Sequence, residues 1–341
     1  MNRRNLAFTV VEILVVISII LILVGMILLG VRKVNQSSRS NSTKVTLEQC
    51  RSMTSEYGRA QGLPLPSEPL DLRVAPDSTV IPLPTTAVLP YWPGDLRREA
   101  NSDYGLAVPN GRYGVMVRFT SAVMARMMQA PAIRSSVQAL PANSLLIVPP
   151  NVTMPGAPGF AAGTFYPTQV RANPGQYMCM TRIATAPGAI EEPGVGSLSA
   201  DYWLDLSIAQ AVLQDGFGNP LLYFPTCGFV FIDNSGIPRW LTSAGTFTVY
   251  QPDVYWTFGR TYTANVDYVA YPNAVPPYSY SVYKCIGSNT AAAGNDPLTA
   301  NSPNWVRVAT VPFFASAGSD GVFFDPSRPA TMDDNMYSFE N

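Results

Sequence analysis

Apolar positions fall along this chain in three regimes, and each regime predicts a different kind of element. From Phe8 to Val31 every residue is apolar or glycine except Thr9, Glu12 and Ser18. As a helix these 24 residues extend about 36 Å, more than the roughly 30 Å hydrocarbon core of a bilayer. One membrane span is predicted, and the sequence holds no second run of that kind. From Val31 to Tyr57 no Pro or Gly intervenes, and Val34, Val45, Leu47, Met53 and Tyr57 recur at helical spacing. The helix is therefore expected to continue beyond the membrane until Gly58, Gly62 and Pro64 stop it. Within it the run from Asn35 to Thr43 is polar and poor in helix formers, which predicts a bend or local melting there.

The second regime is rich in Pro and Gly. Residues 62–95 hold eight prolines and read as an extended connection. Ser121 to Ala130, with Met124, Met127 and Met128, reads as a short core helix ended by Pro131. Residues 149–163 form another Pro/Gly-rich loop. Ser199 to Gln214 has a Ser N-cap, an acid in its first turn and helical apolar spacing, so a second long helix is expected there.

From Leu221 onward the pattern changes to short β segments. Strands are expected over 221–224, 228–232, around Trp240, over 246–250, 266–270, 278–285 and 305–311. The fold class is α+β: a long N-terminal transmembrane spine helix followed by an antiparallel β-sheet globular domain carrying large insertions. The divisions are a leader (1–7), the membrane half of the helix (8–31), its outer half (32–60), the Pro-rich connection (61–98) and the globular domain (99–341).

Composition narrows the function. Charged residues are 13% of the 341, against roughly 25% in ordinary globular proteins, and this suits an extracytoplasmic surface. The net charge is −1, so no broad basic field exists for nucleic acid. There is no histidine, which removes Ser-His-Asp and Cys-His catalysis and the commonest ligand of catalytic zinc, so no enzymatic activity is expected. The four cysteines, Cys50, Cys179, Cys227 and Cys285, lie dozens of residues apart. Two readings stand side by side: a disulfide among Cys179, Cys227 and Cys285 outside the cytoplasm, or buried free thiols. Trp92, Trp203, Trp240, Trp256 and Trp305 could face a carbohydrate, although aromatic residues of a β-rich domain usually pack its core.

Arg3 and Arg4 precede the span and favour a cytoplasmic N-terminus, while Arg32 and Lys33 beyond it weaken that asymmetry. A cleaved secretory signal has an apolar region about half as long with small residues at its exit. A plain signal anchor fits the length but leaves Glu12 unexplained, because an ionised carboxylate in hydrocarbon is costly unless a cation meets it. The short basic leader, then Phe8-Thr9-Val10-Val11-Glu12 and an unbroken apolar helix, resembles the N-terminus of type IV prepilins and type II secretion pseudopilins. The resemblance implies cleavage between Ala7 and Phe8 by a membrane-embedded prepilin peptidase and methylation of the new Phe8 amine. It also implies that Glu12, fifth in the mature chain, accepts an N-terminal ammonium during assembly. Ala7 departs from the glycine the family nearly always has there.

A second likeness lies in the globular part. Asp215-Gly216-Phe217-Gly218-Asn219-Pro220-Leu221-Leu222-Tyr223 is similar to the D-x-W-G-N-P-x-x-Y strand entry of major pseudopilins. Ser316-Ala317-Gly318-Ser319-Asp320-Gly321 with Asp333-Asp334-Asn335 resembles their C-terminal calcium-binding loop. The likeness covers 199–225 and 312–341, and 226–311 is a β-rich insertion where the family has a short hairpin. It implies calcium at Asp320 and at Asp333 or Asp334, with solvated turn acids as the alternative. The resemblance as a whole implies a filament subunit of a secretion or pilus-like machine in the inner membrane, single-pass, with its globular domain outside. Its partners would be the prepilin peptidase, an assembly platform, like or related pilin subunits and membrane lipid. The competing reading is a membrane-anchored binding module that forms no filament.

Overall fold

A continuous helix, α1, spans Val10–Arg59 in the computed structural model. The structure describes residues 10–60, 64–71, 112–141, 144–147, 171–172, 177–179, 183–184, 191–192, 203–205, 211–232, 237–248, 254–273, 279–292, 294–299, 302–319 and 335–340. Large apolar side chains from Leu14 to Ile27 are exposed on every side of the helix, and this is one helix long and apolar enough to cross a membrane. The outer half is different in kind. Thr43, Thr46, Leu47, Cys50, Met53, Thr54 and Tyr57 are buried, a stripe stepping by three and four that lays one face of the helix on the globular part.

The polar run Asn35–Thr43 stays helical, contrary to the melting expected of it. Two of its consequences are visible in local bonds. Thr43 Oγ1 donates to the Arg39 carbonyl at 3.0 Å and Thr46 Oγ1 to the Ser42 carbonyl at 3.0 Å, so hydroxyls that compete with helix elsewhere are turned back on it.

Two shorter helices pack near α1: α2 (Arg112–Met127) and α3 (Pro131–Gln138). Pro131 closes no long helix but opens α3 at its first position, where a missing N–H costs nothing. Met124 and Met127 are core residues, as their spacing predicts. Arg126 is buried at the end of α2 and donates from its guanidinium to the carbonyls of Pro64 (2.9 Å) and Trp203 (3.3 Å). That one side chain ties the Pro-rich connection to the strand 203–205.

The helix expected over 199–214 is a correction: its described residues form strands Trp203–Asp205 and Ala211–Leu213. They pair antiparallel with 177–179 and 145–147. Trp203, Leu204, Val212 and Leu213 are all buried in adjacent pairs, as suits strands enclosed on both faces. Tertiary burial overrides the local helical spacing.

The β segments after Leu221 appear close to their expected places, in several small sheets. Strand 222–224 pairs antiparallel with 313–316, which pairs with 336–337. Strands 229–232, 238–242 and 245–248 form a meander, and Leu70–Asp71 adds to it in parallel. A further sheet holds 268–272, 280–285 and 305–308.

Period-two alternation makes the meander a wall between two cores. Phe229, Phe231 and Leu241 face the main core with α1, α2 and Phe313, while Val230 and Trp240 face a second cluster with Cys227, Val254, Tyr255, Ala270, Tyr280 and Val282. The next sheet repeats the device. Its Ala270, Tyr280 and Val282 close the second cluster, and its Val269, Tyr271, Tyr283, Cys285 and Trp305 form a third with Trp256, Tyr262 and Ala291. The segment 227–308 thus carries two aromatic-rich clusters of its own. Edge-on ring pairs set their packing: Tyr262 on Trp305 at 5.1 Å and Trp256 on Tyr271 at 5.6 Å between centroids.

Candidate functional site

The Asp215–Asn219 turn is built around one buried carboxylate. Asp215 Oδ1 accepts the backbone N–H of Phe217 (2.9 Å) and of Asn219 (2.8 Å), an Asx turn, while the backbone N–H of Asp215 donates to the Asn219 carbonyl at 2.8 Å. Gly218 sits at φ +89°, a conformation that favours glycine. The turn joins strand 211–213 to 222–224, with Gln214 bridging Pro220.

Strand register then delivers the second motif to the first. Pairing of Leu222 with Ala315 and Phe224 with Phe313, continued past the strand ends, sets Gly318 opposite Asn219. Asn219 Nδ2 donates to the Gly318 carbonyl at 2.8 Å, and Ser316 Oγ donates to Asp215 Oδ2 at 2.6 Å while accepting from the Gly318 N–H at 3.0 Å. Burial holds the Asp215 carboxyl above its ordinary pKa, and the bonds from Ser316, Asn219 and Phe217 pull the other way. The first effect is the larger.

The same turn touches the spine helix. The Gly216 N–H donates to Thr43 Oγ1 at 2.9 Å, and the Thr43 hydroxyl donates in turn to the Arg39 carbonyl. A Cβ at Gly216 would collide with that Arg39 carbonyl, so only glycine lets the turn approach so closely. Ser40 Oγ adds a long contact to Met336 Sδ at 3.9 Å. Asp215, Gly216, Thr43 and Ser316 were invisible as a constellation in the sequence. The signal that could have found them is the Asp-Gly pair itself, a turn residue followed by one without a side chain.

Of the other sequence candidates, Ala7 and Phe8 lie outside the described residues. Glu12 falls in the first turns of α1, where only its backbone is described. Asp320, Asp333 and Asp334 also lie outside the described residues, and among those described no group of three acids or cysteines is placed to hold a metal ion. Asn335, next to Asp334, is buried with neither its Oδ1 nor its Nδ2 hydrogen-bonded.

Cys50, Cys227 and Cys285 are free buried thiols. Cys227 and Cys285 are not paired with each other, since they sit in separate clusters on opposite faces of one sheet. Only the backbone of Cys179 is described, in strand 177–179. Burial raises the Cys285 thiol, and that thiol donates to the Gly287 carbonyl at 3.2 Å. Trp203, Trp240, Trp256 and Trp305 are all buried and build cores; Trp92 lies outside the described residues. Comparison with protein-family models, with curated proteins and with solved structures gives no match.

Proposed function

We propose that this chain is a structural subunit of a type IV pilin-like or type II secretion filament, anchored by α1 and processed between Ala7 and Phe8 by a prepilin peptidase. The observation that carries the reading is the meeting of its two pseudopilin-like segments: the Asp215 turn and the Ser316 turn, 101 residues apart, bond to each other and rest on the spine helix. A subunit whose helix is the assembly element needs that helix held rigidly by its head, and this junction does so. Glu12 serves assembly by accepting the ammonium of a processed N-terminus, its own or a neighbour's, which neutralises two charges that hydrocarbon would otherwise penalise. An inner-membrane assembly platform and related subunits are its partners.

Calcium belongs to the same proposal. The pairing of Ser316 with Met336 brings the chain entering Asp320 beside the chain leaving Asp334, and the unsatisfied buried amide of Asn335 lies in that stretch. Asp320, Asp333 and Asp334 would supply carboxylate oxygens to a hard cation. The assembly role of Glu12 is tested by Glu12→Val: the variant inserts in the membrane and is processed, yet enters filaments poorly. Normal incorporation would remove the role.

A further inference from the structure

We propose that Arg32 and Lys33 bind phospholipid phosphates at the outer face of the membrane and so set the depth of α1. The inference rests on the single-pass reading of α1, and on neither processing nor assembly. Val31 ends the apolar run, Arg32 and Lys33 follow it directly, and no acid occurs between Glu12 and Glu48. All of residues 30–39 are exposed, and the globular part first buries the helix at Thr43. Thr43 stands eleven residues beyond Arg32, about 16 Å along the axis. Among the described residues none buries Arg32 or Lys33. Arg51 pairs with Glu48 at 3.6 Å, and no described carboxylate pairs with Arg32 or Lys33.

Helical geometry suits them to a planar array of anions. Consecutive residues point about 100° apart at nearly one height, so Arg32 and Lys33 reach headgroups on two sides of the helix at the same level. The headgroup layer extends roughly 6 Å beyond the hydrocarbon, and both side chains start within it. A guanidinium takes two phosphate oxygens at once while an ammonium acts as a point charge. Arg39 lies seven residues on, nearly above Arg32 and about 10 Å higher, at the limit of its reach. Lys44 is farther out still. Anionic phosphatidylglycerol, with net negative charge, is preferred over zwitterionic phosphatidylcholine.

Fixing Arg32 at the outer phosphates fixes the other end too. Glu12 is twenty residues away, about 30 Å, one full hydrocarbon thickness.

The test is hydrogen–deuterium exchange of the full chain reconstituted in vesicles of phosphatidylcholine, or of phosphatidylcholine with roughly one third phosphatidylglycerol. An exposed, unpacked stretch of helix opens more readily than a buried one, so its amides report a new anchor. Exchange over residues 31–38 is expected to slow roughly tenfold with phosphatidylglycerol. The double substitution R32Q/K33Q abolishes that slowing, and K44Q keeps it. Inorganic phosphate added to phosphatidylcholine vesicles does not reproduce it, which separates a lipid headgroup from a free anion. The proposal is overturned by equal exchange in both lipids while residues 14–27 stay protected, by slowing that survives R32Q/K33Q, or by slowing with inorganic phosphate alone. If residues 14–27 exchange freely in both vesicles, the single-pass reading itself has failed.

Discussion

Ser316 Oγ stands 2.6 Å from Asp215 Oδ2, and both residues are buried. The bond joins strand 313–316 of the main core to the turn that rests on α1, so it links a late segment of the chain to its first helix. Removing the donor leaves a desolvated carboxylate short of one partner. Ser316→Ala should lower the unfolding free energy by about 1.5–3 kcal/mol, the range for hydrogen bonds to charged groups. Chemical denaturation of the full chain in detergent checks this, and an unchanged midpoint would show that the bond contributes nothing.

Titration of Asp215 follows from its burial. Its folded pKa is raised, so folding favours the protonated form. The sign is fixed by linkage: the stabilisation is complete below the unfolded pKa and is lost as pH rises through the folded one. Wild type should gain stability relative to Asp215→Asn as pH falls from neutral into the carboxylate range. Paired melting curves across that window measure it, and a constant difference between the two proteins would contradict the burial argument.

Gly216→Ala places a methyl group against the Arg39 carbonyl. Neither backbone can yield cheaply, so the turn must withdraw from the helix and break the Gly216–Thr43 bond. A loss of roughly 1–3 kcal/mol is expected, in the range of overpacked sites, together with faster amide exchange over residues 39–46. Ala in place of the neighbouring Gly218, which has open space around it, carries backbone strain at φ +89° but leaves α1 undisturbed. Equal exchange over 39–46 in both variants would show that Gly216 does not hold the helix.

Calcium at the C-terminal loop should raise the melting temperature at millimolar concentration, because a ligand that binds only the folded state stabilises it by mass action. Asp320→Asn combined with Asp334→Asn should erase the rise. Identical melting with and without calcium in the unmodified chain ends the metal proposal.

Local signals carried much of the fold. The apolar run and the helical spacing of Val45, Leu47, Met53 and Tyr57 specify the two ends of α1, while the polar run between them does not announce itself as helix. Strands such as 222–224 and 280–285 announce themselves by β-branched and aromatic residues between turn signals. Non-local pairing was hidden. Trp203 and Leu204 are strand residues because 177–179 lies beside them, and nothing within 199–214 reports that neighbour. The Asp215–Ser316 bond has the same cause: register between strands 222–224 and 313–316 brings together two residues 101 apart. Of the run Asn35–Thr43, it is Thr43 that receives the Gly216 N–H from a turn 173 residues away, and that contact too is absent from the local pattern.

The central claim, a subunit freed from its leader at Phe8, is tested most directly by the intact mass and N-terminal sequence of the protein isolated from membranes. The account predicts a chain that starts at Phe8, lacks residues 1–7 and carries a methyl group on its amine. A mature chain that still begins at Met1 would contradict it.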